Sequence, residues 1–300
     1  MILGPSNTTG KVDDAFLIIV ACCVILLAAV TVSMVVFLFK YNRKRHPRPE
    51  HVKENIPLEI VWTVVPTILV LLMFYFGWVD FELIRNPPKD SLTVQVTARQ
   101  WSWLFTYDNG RQHDILNVPT GRPVKLLMTS VDVLHCLFIP AYRIKEDCVP
   151  GMTTHLWFTA NEAGTYDIFC TEYCGVGHSH MRSKLVAMTP EDFRKWLDTA
   201  PGKSPADLGP RLLRAKGCLG CHSLDGSAKV GPTLKGLIGK EETVIVAGAE
   251  RKITVDKAFI RGHIVNPRAE TVKGFPPVMP AIPMTDEELD AVTAYLETVR

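Results

Sequence analysis

The sequence predicts a chain of three structural parts: a pair of membrane-spanning helices, an all-β domain and an all-α domain. Two long stretches without a charged residue, 15–39 and 60–79, predict the two helices. Short runs of alternating apolar and polar residues between 91 and 187 predict strands. Helical periodicity appears from residue 207 onward. A chain of 300 residues is long enough for more than one domain.

Each uncharged stretch is long enough to cross a bilayer, whose apolar core requires about 20 helical residues. The first could instead be a signal peptide, but it is longer than the apolar part of such a peptide and ends at Lys40. The second could be a buried core helix, and Pro66 within it disfavours any helix. Membrane helices tolerate such a proline when neighbouring segments pack against it. Two spans are therefore the expectation.

The loop between the two stretches is basic, and basic loops of this kind remain in the cytoplasm. Its cationic residues are Lys40, Arg43, Lys44, Arg45, Arg48 and Lys53. We therefore expect a two-span protein of the bacterial inner membrane with both termini, and everything after Asp80, on the extracytoplasmic side. Cysteines in that compartment tend to be oxidised unless a metal or a cofactor uses them.

Changes in composition set the expected domain boundaries. These are 1–90 for the N-terminal tail and helices, 91–198 for the all-β domain, 199–206 for a linker rich in Pro, Gly and Ser, and 207–300 for the all-α domain. We expect a short helix at 190–197 and a last helix that opens with a capping box at Thr285. The formal net charge of +2 argues against a chain that binds nucleic acid.

The motif Cys218-Leu-Gly-Cys221-His222 is the C-x-x-C-H pattern of covalent haem c attachment. The two thiols bond the haem vinyl groups, and the histidine lies beneath the iron. A redox dithiol would need a thioredoxin-like context, and a zinc site would need a second ligand pair downstream. The sequence offers neither, so it predicts a cytochrome.

A methionine is the expected second axial ligand, because His/Met ligation raises the potential as electron transfer requires. The candidates are Met279 and Met284, with His263 as the runner-up. The haem motif, followed by a Gly-Pro-Thr-Leu segment at 231–234 and a Met-Pro pair before the last helix, resembles class I cytochrome c. This resemblance favours Met279.

A second group of soft ligands contains two thiols, an imidazole and a thioether within twelve residues. They are Cys170, Cys174, His178 and Met181, and soft sulfur ligands suit copper. Zinc is the alternative, since the first three recur at four-residue steps and could share one helical face. The strand-like residues before the group, its glycines and the methionine argue against zinc. Two thiolates can bridge two coppers if another strand adds a histidine, for which His135 is the candidate.

Segments 132–152 and 170–181 resemble the binuclear copper (CuA) domain of cytochrome c oxidase subunit II, and the resemblance extends over almost the whole chain. It implies a cupredoxin-like fold. It also implies six dicopper ligands: His135, Cys170, the carbonyl oxygen of Glu172, Cys174, His178 and Met181.

The same resemblance implies roles for residues outside the copper ligands. It gives Trp101 the role of an electron relay into the copper centre. By alternation we expect Trp101 and Trp103 to share one strand face, and either could simply belong to the core. It places Glu59 at the mouth of a proton channel, although an acidic residue also suits a helix N-terminus. It places Glu172 and Asp147 near a magnesium ion at the interface with subunit I.

As a whole, the resemblance implies the subunit through which electrons reach a haem–copper terminal oxidase. Electrons would pass from a reduced donor to haem c, to the dicopper centre and on to subunit I, which reduces oxygen and pumps protons. Expected partners are subunits I and III and a donor, either a cytochrome c or a quinol-oxidising complex. The alternatives are the small subunit of a CuA-containing nitric oxide reductase and a membrane-anchored copper-binding protein or metallochaperone. The fused haem argues against the last.

Two cysteines, Cys136 and Cys148, depart from the family pattern. Free thiols persist poorly outside the cytoplasm, and the turn-compatible Pro140 lies between the two. We therefore expect a Cys136–Cys148 disulfide that braces the strand carrying His135.

Overall fold

The computed structural model describes residues 4–48, 53–199 and 205–300. Two long helices come first, α1 (Thr9–Lys40) and α2 (Ile56–Arg85). They extend beyond the predicted spans at both ends, and their apolar windows are not buried against the rest of the chain. Helices of this length and hydropathy that leave their apolar surface uncovered suit a lipid environment.

The outer ends of both helices contact the all-β domain. The Thr8 hydroxyl, just before α1, donates a hydrogen bond to the carbonyl of Tyr142 at 2.6 Å. Near the end of α2, the indole N–H of Trp157 donates to the carbonyl of Leu83 at 3.0 Å. The start of α1 and the end of α2 therefore lie at the same domain, and the basic loop lies at the opposite end of the hairpin.

The all-β domain is a sandwich of two five-stranded sheets. Its strands are β1 (Leu92–Arg99), β2 (Ser102–Tyr107), β3 (Gln112–His113), β4 (Leu116–Pro119), β5 (Pro123–Ser130), β6 (His135–Ile139), β7 (Ile144–Cys148), β8 (Thr154–Thr159), β9 (Gly164–Cys170) and β10 (Arg182–Met188). One sheet has the order β3-β2-β1-β5-β8 and the other β4-β10-β9-β6-β7. Inward-facing apolar side chains of both sheets form one continuous core, as strand alternation requires.

A short helix, α3 (Pro190–Asp198), follows the sandwich and confirms the predicted helix. One local prediction is wrong: Trp101 does not share a strand face with Trp103. Gln100 and Trp101 form the turn between β1 and β2, so only Trp103 lies within a strand. Alternation of side chains does not continue through a turn, which leaves Trp101 free to point elsewhere.

The expected Cys136–Cys148 disulfide is also wrong, since both cysteines are free. The antiparallel register of β6 and β7 pairs Cys136 with Asp147 and pairs His135 with Cys148. Directly paired residues share a face and successive residues alternate, so the two thiols lie on opposite faces. Burial raises the pKa of the Cys136 thiol to about 11 and that of Cys148 to about 12, which keeps both protonated.

The C-terminal domain surrounds its own apolar core with helices and one small sheet. Its elements are α4 (Pro205–Ala215), α5 (Cys218–Cys221), β11 (Glu241–Val246), β12 (Ala249–Thr254), α6 (Lys257–Val265), β13 (Thr271–Val272) and α7 (Asp286–Leu296). The predicted capping box is present at α7, where the Thr285 hydroxyl accepts the Glu288 N–H and the Glu288 carboxylate accepts the Thr285 N–H. Periodicity did not predict the three strands. Residues 200–204 of the predicted linker lie outside the described residues.

Candidate functional site

Two strands and a loop bring five sulfur and nitrogen atoms together at one end of the sandwich. β6 begins at His135, β9 ends at Cys170, and the loop from there to β10 carries Cys174, His178 and Met181. The two cysteine sulfurs are 3.8 Å apart. His135 Nδ1 lies 3.9 Å from the Cys170 sulfur, and His178 Nδ1 lies 3.5 Å from the Cys174 sulfur.

The remaining two candidate ligands complete the cluster. The Met181 sulfur is 3.9 Å from that of Cys174, and the Glu172 carbonyl oxygen is 3.2 Å from the Cys170 sulfur. Two ligand atoms bound tetrahedrally to one metal at about 2.0–2.3 Å are about 3.3–3.8 Å apart. The separations therefore fit metal coordination, and the thiol, imidazole and thioether donors suit copper. Cys170 ends a strand, so the helical arrangement that zinc would have used is absent here.

The pKa values of the two cluster thiols shift in opposite directions. Burial disfavours a thiolate at Cys170, but hydrogen bonds from His135 and from backbone N–H groups lower its pKa below the ordinary value. Burial, together with the neighbouring Cys170, raises the pKa of Cys174 to about 12. A thiolate therefore forms more readily at Cys170 than at Cys174, because a second negative charge at this distance would be strongly repelled.

Asp132 orients His135 and was not singled out in the sequence. Its carboxylate lies 2.8 Å from His135 Nε2 and accepts that N–H, which turns Nδ1 toward the sulfurs. Burial lowers the pKa of His135, but the hydrogen bonds to Asp132 and Cys170 and the charges of both groups together outweigh it and raise the pKa to about 9. The other carboxylate oxygen accepts the backbone N–H of Gln100 at 2.7 Å. An acidic residue three positions before a candidate ligand histidine is the signal that could have revealed it.

Trp101 lies over the loop that carries the cysteines. Its indole N–H donates to the Cys174 carbonyl at 3.0 Å, and the side-chain amide of Gln100 donates to the same oxygen at 2.7 Å. A Cβ on Gly177 would lie 2.3 Å from the Trp101 ring, so only glycine permits this approach. The side chain is almost completely buried.

The haem motif forms the short helix α5 and the residue after it. His222 Nδ1 donates to the carbonyl of Pro232 at 2.7 Å, which leaves Nε2 available to a metal. Burial lowers the pKa of His222, so the ring is neutral, as an axial ligand must be. A Cβ on Gly231 would lie 2.6 Å from His222 Cε1, so this glycine permits the close approach of chain and ring.

An apolar cleft of about 1070 Å3, part of it open to solvent, lies beside this motif. Cys218, Cys221 and His222 line it, and so does Met279. Met284 packs in the apolar core of the domain and does not line the cleft. His263 does line it, with its ring stacked on Phe259. The size, the apolar lining and the attachment residues fit a haem, and Met279 lies on the wall of the cleft.

The haem motif packs directly against the turn that carries Trp101. A Cβ on Gly220, between the two motif cysteines, would lie 2.4 Å from the Trp101 carbonyl oxygen. The backbone N–H of Trp101 faces the Cys221 thiol, which packs against the sandwich core. Trp101 therefore touches both candidate cofactor sites, one through its backbone and the other through its indole.

The residues assigned to proton and magnesium roles lie apart from these clusters. Glu59 is exposed in the first turn of α2. Glu172 and Asp147 are exposed at the copper end of the sandwich, and no hydrogen bond joins their carboxylates in the described part of the chain. These roles would need atoms supplied by a partner.

Three family profiles match the sequence. "Cytochrome C oxidase subunit II, transmembrane domain" matches residues 6–78, "Cytochrome C oxidase subunit II, periplasmic domain" matches 110–188, and "Cytochrome c" matches 206–300. Cytochrome c oxidase subunit 2 of Alkalihalophilus pseudofirmus is 31% identical over 294 residues, which cover 90% of this chain and 83% of the relative. The chain belongs to the cytochrome c oxidase subunit II family.

Two further relatives extend the comparison within the subunit II family. Alternative cytochrome c oxidase subunit 2 of Bradyrhizobium diazoefficiens is 30% identical over 241 residues, covering 69% of this chain and 86% of the relative. The crystal structure of the periplasmic domain of subunit II from Bradyrhizobium japonicum is 28% identical and covers 38% of this chain and 96% of that one, with a TM-score of 0.37. As a subunit II, the chain is a component of an oxidoreductase complex and carries a fused cytochrome c domain.

Proposed function

We propose that this subunit II carries electrons from an external donor to subunit I of a haem–copper oxidase, first through its own haem c and then through its dicopper centre. Oxygen reduction and proton pumping would occur in subunit I, and no oxygen chemistry would occur on this chain. The relatives at 30–31% identity are named as oxidase subunits, which favours oxygen over nitric oxide as the final acceptor.

The proposed dicopper ligands are His135, Cys170, the Glu172 carbonyl, Cys174, His178 and Met181. Convergence of their donor atoms within bonding range of shared metals supports this assignment. A dicopper centre held by these residues would supply one-electron storage shared over both metals. The chain supplies ligands fixed on two strands and a packed loop, so that little has to move when the charge changes.

The proposed haem attachment uses Cys218 and Cys221, with His222 and Met279 as axial ligands. The lining of the cleft supports Met279 over Met284. Covalently held haem supplies a one-electron carrier with a raised potential. Around it, the apolar wall of the cleft excludes water, and the Pro232 carbonyl holds the His222 ring in one orientation.

Contact of Trp101 with both sites is the observation that carries the proposal. The haem motif lies against its backbone, and its indole N–H reaches the carbonyl of a copper-ligating cysteine. The electron would therefore cross between two domains of one chain through a single residue, and no separate docking event would be needed. The proposal also includes subunits I and III as partners. It further places a magnesium ion near Glu172 and Asp147 and a proton channel at Glu59.

The test replaces Trp101 with phenylalanine, which keeps an aromatic ring and removes the indole N–H. In the assembled complex, haem c is reduced by a light pulse, and the dicopper absorbance then reports arrival of the electron. We expect Trp101→Phe to slow this internal transfer, while Trp196→Phe, a matched change in α3, leaves it unchanged. An unchanged rate in Trp101→Phe would exclude Trp101 as the connection.

A further inference from the structure

The loop between β13 and α7, which carries Met279, has few hydrogen bonds to the rest of the protein. Residues 278–285 have no regular secondary structure. Four prolines at 276, 277, 280 and 283 remove backbone donors from the segment. Within the described part of the chain, two hydrogen bonds tie residues 276–284 to other elements. One joins the Ile282 N–H to the Ile264 carbonyl at 3.1 Å, and the other comes from a side chain.

That side chain is Lys216. Its ammonium donates to the carbonyl of Pro283 at 3.1 Å and forms an ion pair with Glu288 at 3.0 Å. Both charged side chains are about a quarter exposed, so water screens the pair only in part. The same Glu288 oxygen accepts the N–H of Thr285, the first link of the α7 capping box. One ammonium therefore fixes both the end of the loop and the start of the helix that follows.

Lys216 also belongs to the haem attachment segment. Its backbone N–H bonds the Leu212 carbonyl at 2.8 Å as α4 ends, and Cys218 follows two residues later. The side chain lines a cleft that Cys218 and Met279 also line. The hydrogen bond from Lys216 to Pro283 therefore connects the haem attachment segment with the loop that carries Met279.

We propose that Lys216 is a positioning residue that holds the loop of Met279 closed over the haem. The inference rests on the proposed ligation by Met279 and adds the residue that keeps this ligand in place. The ammonium offers hydrogen bonds to a carbonyl and a carboxylate at once, and no apolar side chain can do so. Without them the loop would keep only the Ile282–Ile264 hydrogen bond and its apolar packing, and the methionine would leave its position more often.

Imidazole binding to the ferric haem measures how often the methionine leaves, because imidazole can bind only when the sixth position is open. The full-length chain, purified in detergent with haem attached, is titrated with imidazole and followed by its absorption spectrum. For Lys216→Met we expect an affinity about tenfold higher than in the unaltered chain, the factor that corresponds to one lost hydrogen bond of a partly exposed charged group. Lys216→Arg, which keeps the charge, should restore most of the original affinity. Lys252→Met, on the exposed strand β12, is the matched control and should change nothing.

Two more variants separate this inference from the ligand assignment. Met279→Leu should abolish the thioether-to-iron charge-transfer band and bind imidazole without displacement; if it does neither, Met279 is not the ligand. If Met279→Leu behaves as expected while Lys216→Met binds imidazole as the unaltered chain does, the role of Lys216 is refuted and the ligand stands. Should Lys216→Met fail to accumulate, Glu288→Gln removes the ion pair but keeps a capping-box residue. A smaller rise in imidazole affinity is then expected, and no rise refutes the inference.

Discussion

At the scale of single residues, Asp132 connects the proposed copper ligand His135 to the turn that carries Trp101. One carboxylate oxygen bonds His135 and the other bonds the backbone of Gln100, the residue before Trp101. Burial alone would raise the pKa of Asp132, but the bonds from His135 and from backbone N–H groups lower it below the ordinary value. The carboxylate therefore stays charged and keeps both bonds.

Replacing Asp132 with asparagine should weaken copper binding. The amide has one oxygen, so its NH2 group must face either His135 or the Gln100 N–H, both of which are donors. Loss of such an orienting partner lowers metal affinity by about 10–100-fold. Competition between the full chain and a copper chelator measures this affinity, with Asp167→Asn as control because Asp167 forms an exposed ion pair with Lys184. Equal affinity in Asp132→Asn and the unaltered chain would show that Asp132 does not orient the ligand.

At the scale of elements, local sequence patterns predicted the helices that depend on interactions between residues close in sequence. The uncharged stretches predicted α1 and α2, and the capping box predicted the start of α7. The pairing of strands could not be predicted from local sequence patterns. The register of β6 and β7, which places Cys136 and Cys148 on opposite faces, depends on hydrogen bonds between the two strands. The turn at Trp101 was not predicted, because the alternation of apolar and polar residues in the sequence continues through it.

The loop between β9 and β10, which carries Cys174 and His178, packs closely against Trp101 at Gly177. A methyl group at this position should disturb both the loop and the indole. In Gly177→Ala the new Cβ would lie 2.3 Å from Trp101 Cδ2, although the backbone angles of Gly177 suit alanine. Such overpacking costs about 1–3 kcal/mol of stability. We expect a lower unfolding temperature and slower internal electron transfer, measured on the same preparation.

The matched control is Gly262→Ala within α6. A Cβ at Gly262 would meet no atom within 4 Å, and alanine favours helix over glycine by about 0.5–1 kcal/mol. This variant should unfold at a slightly higher temperature and transfer electrons at the original rate. Equal behaviour of the two variants would mean that the contact between loop and indole is not tightly packed.

At the scale of the whole molecule, the docking of the cytochrome domain on the sandwich could not have been predicted from the sequence. It depends on close approaches at Gly217 and Gly220, where a Cβ would lie within 3 Å of Ser102 and Trp101. Neither glycine carries a signal for this contact in the sequence, because glycines in the haem motif and before it could equally serve local turns. The motifs identified both cofactor sites, and only the assembled domains place one residue between them.

The membrane topology makes a prediction that involves all parts of the chain. Contacts of Thr8 with Tyr142 and of Trp157 with Leu83 hold the outer ends of α1 and α2 at the sandwich. The loop that follows α1 is at the other end of helices about 45 Å long, and its excess of Lys and Arg should keep it in the cytoplasm. The copper and haem domains must then lie together on the extracytoplasmic side.

Protease treatment of sealed spheroplasts checks this orientation. We expect protease added outside to remove the copper and haem domains, while the loop around Arg45 stays uncut until the membrane is permeabilised. A protease that cleaves after Lys and Arg suits the test, because that loop offers several sites whereas 54–84 contains no Lys or Arg. A large fragment containing both domains, produced by cleavage near Arg45 while the spheroplasts are still sealed, would reverse the orientation. That result would also remove the oxidising compartment from the haem and copper assignments, since both would then lie in the reducing cytoplasm.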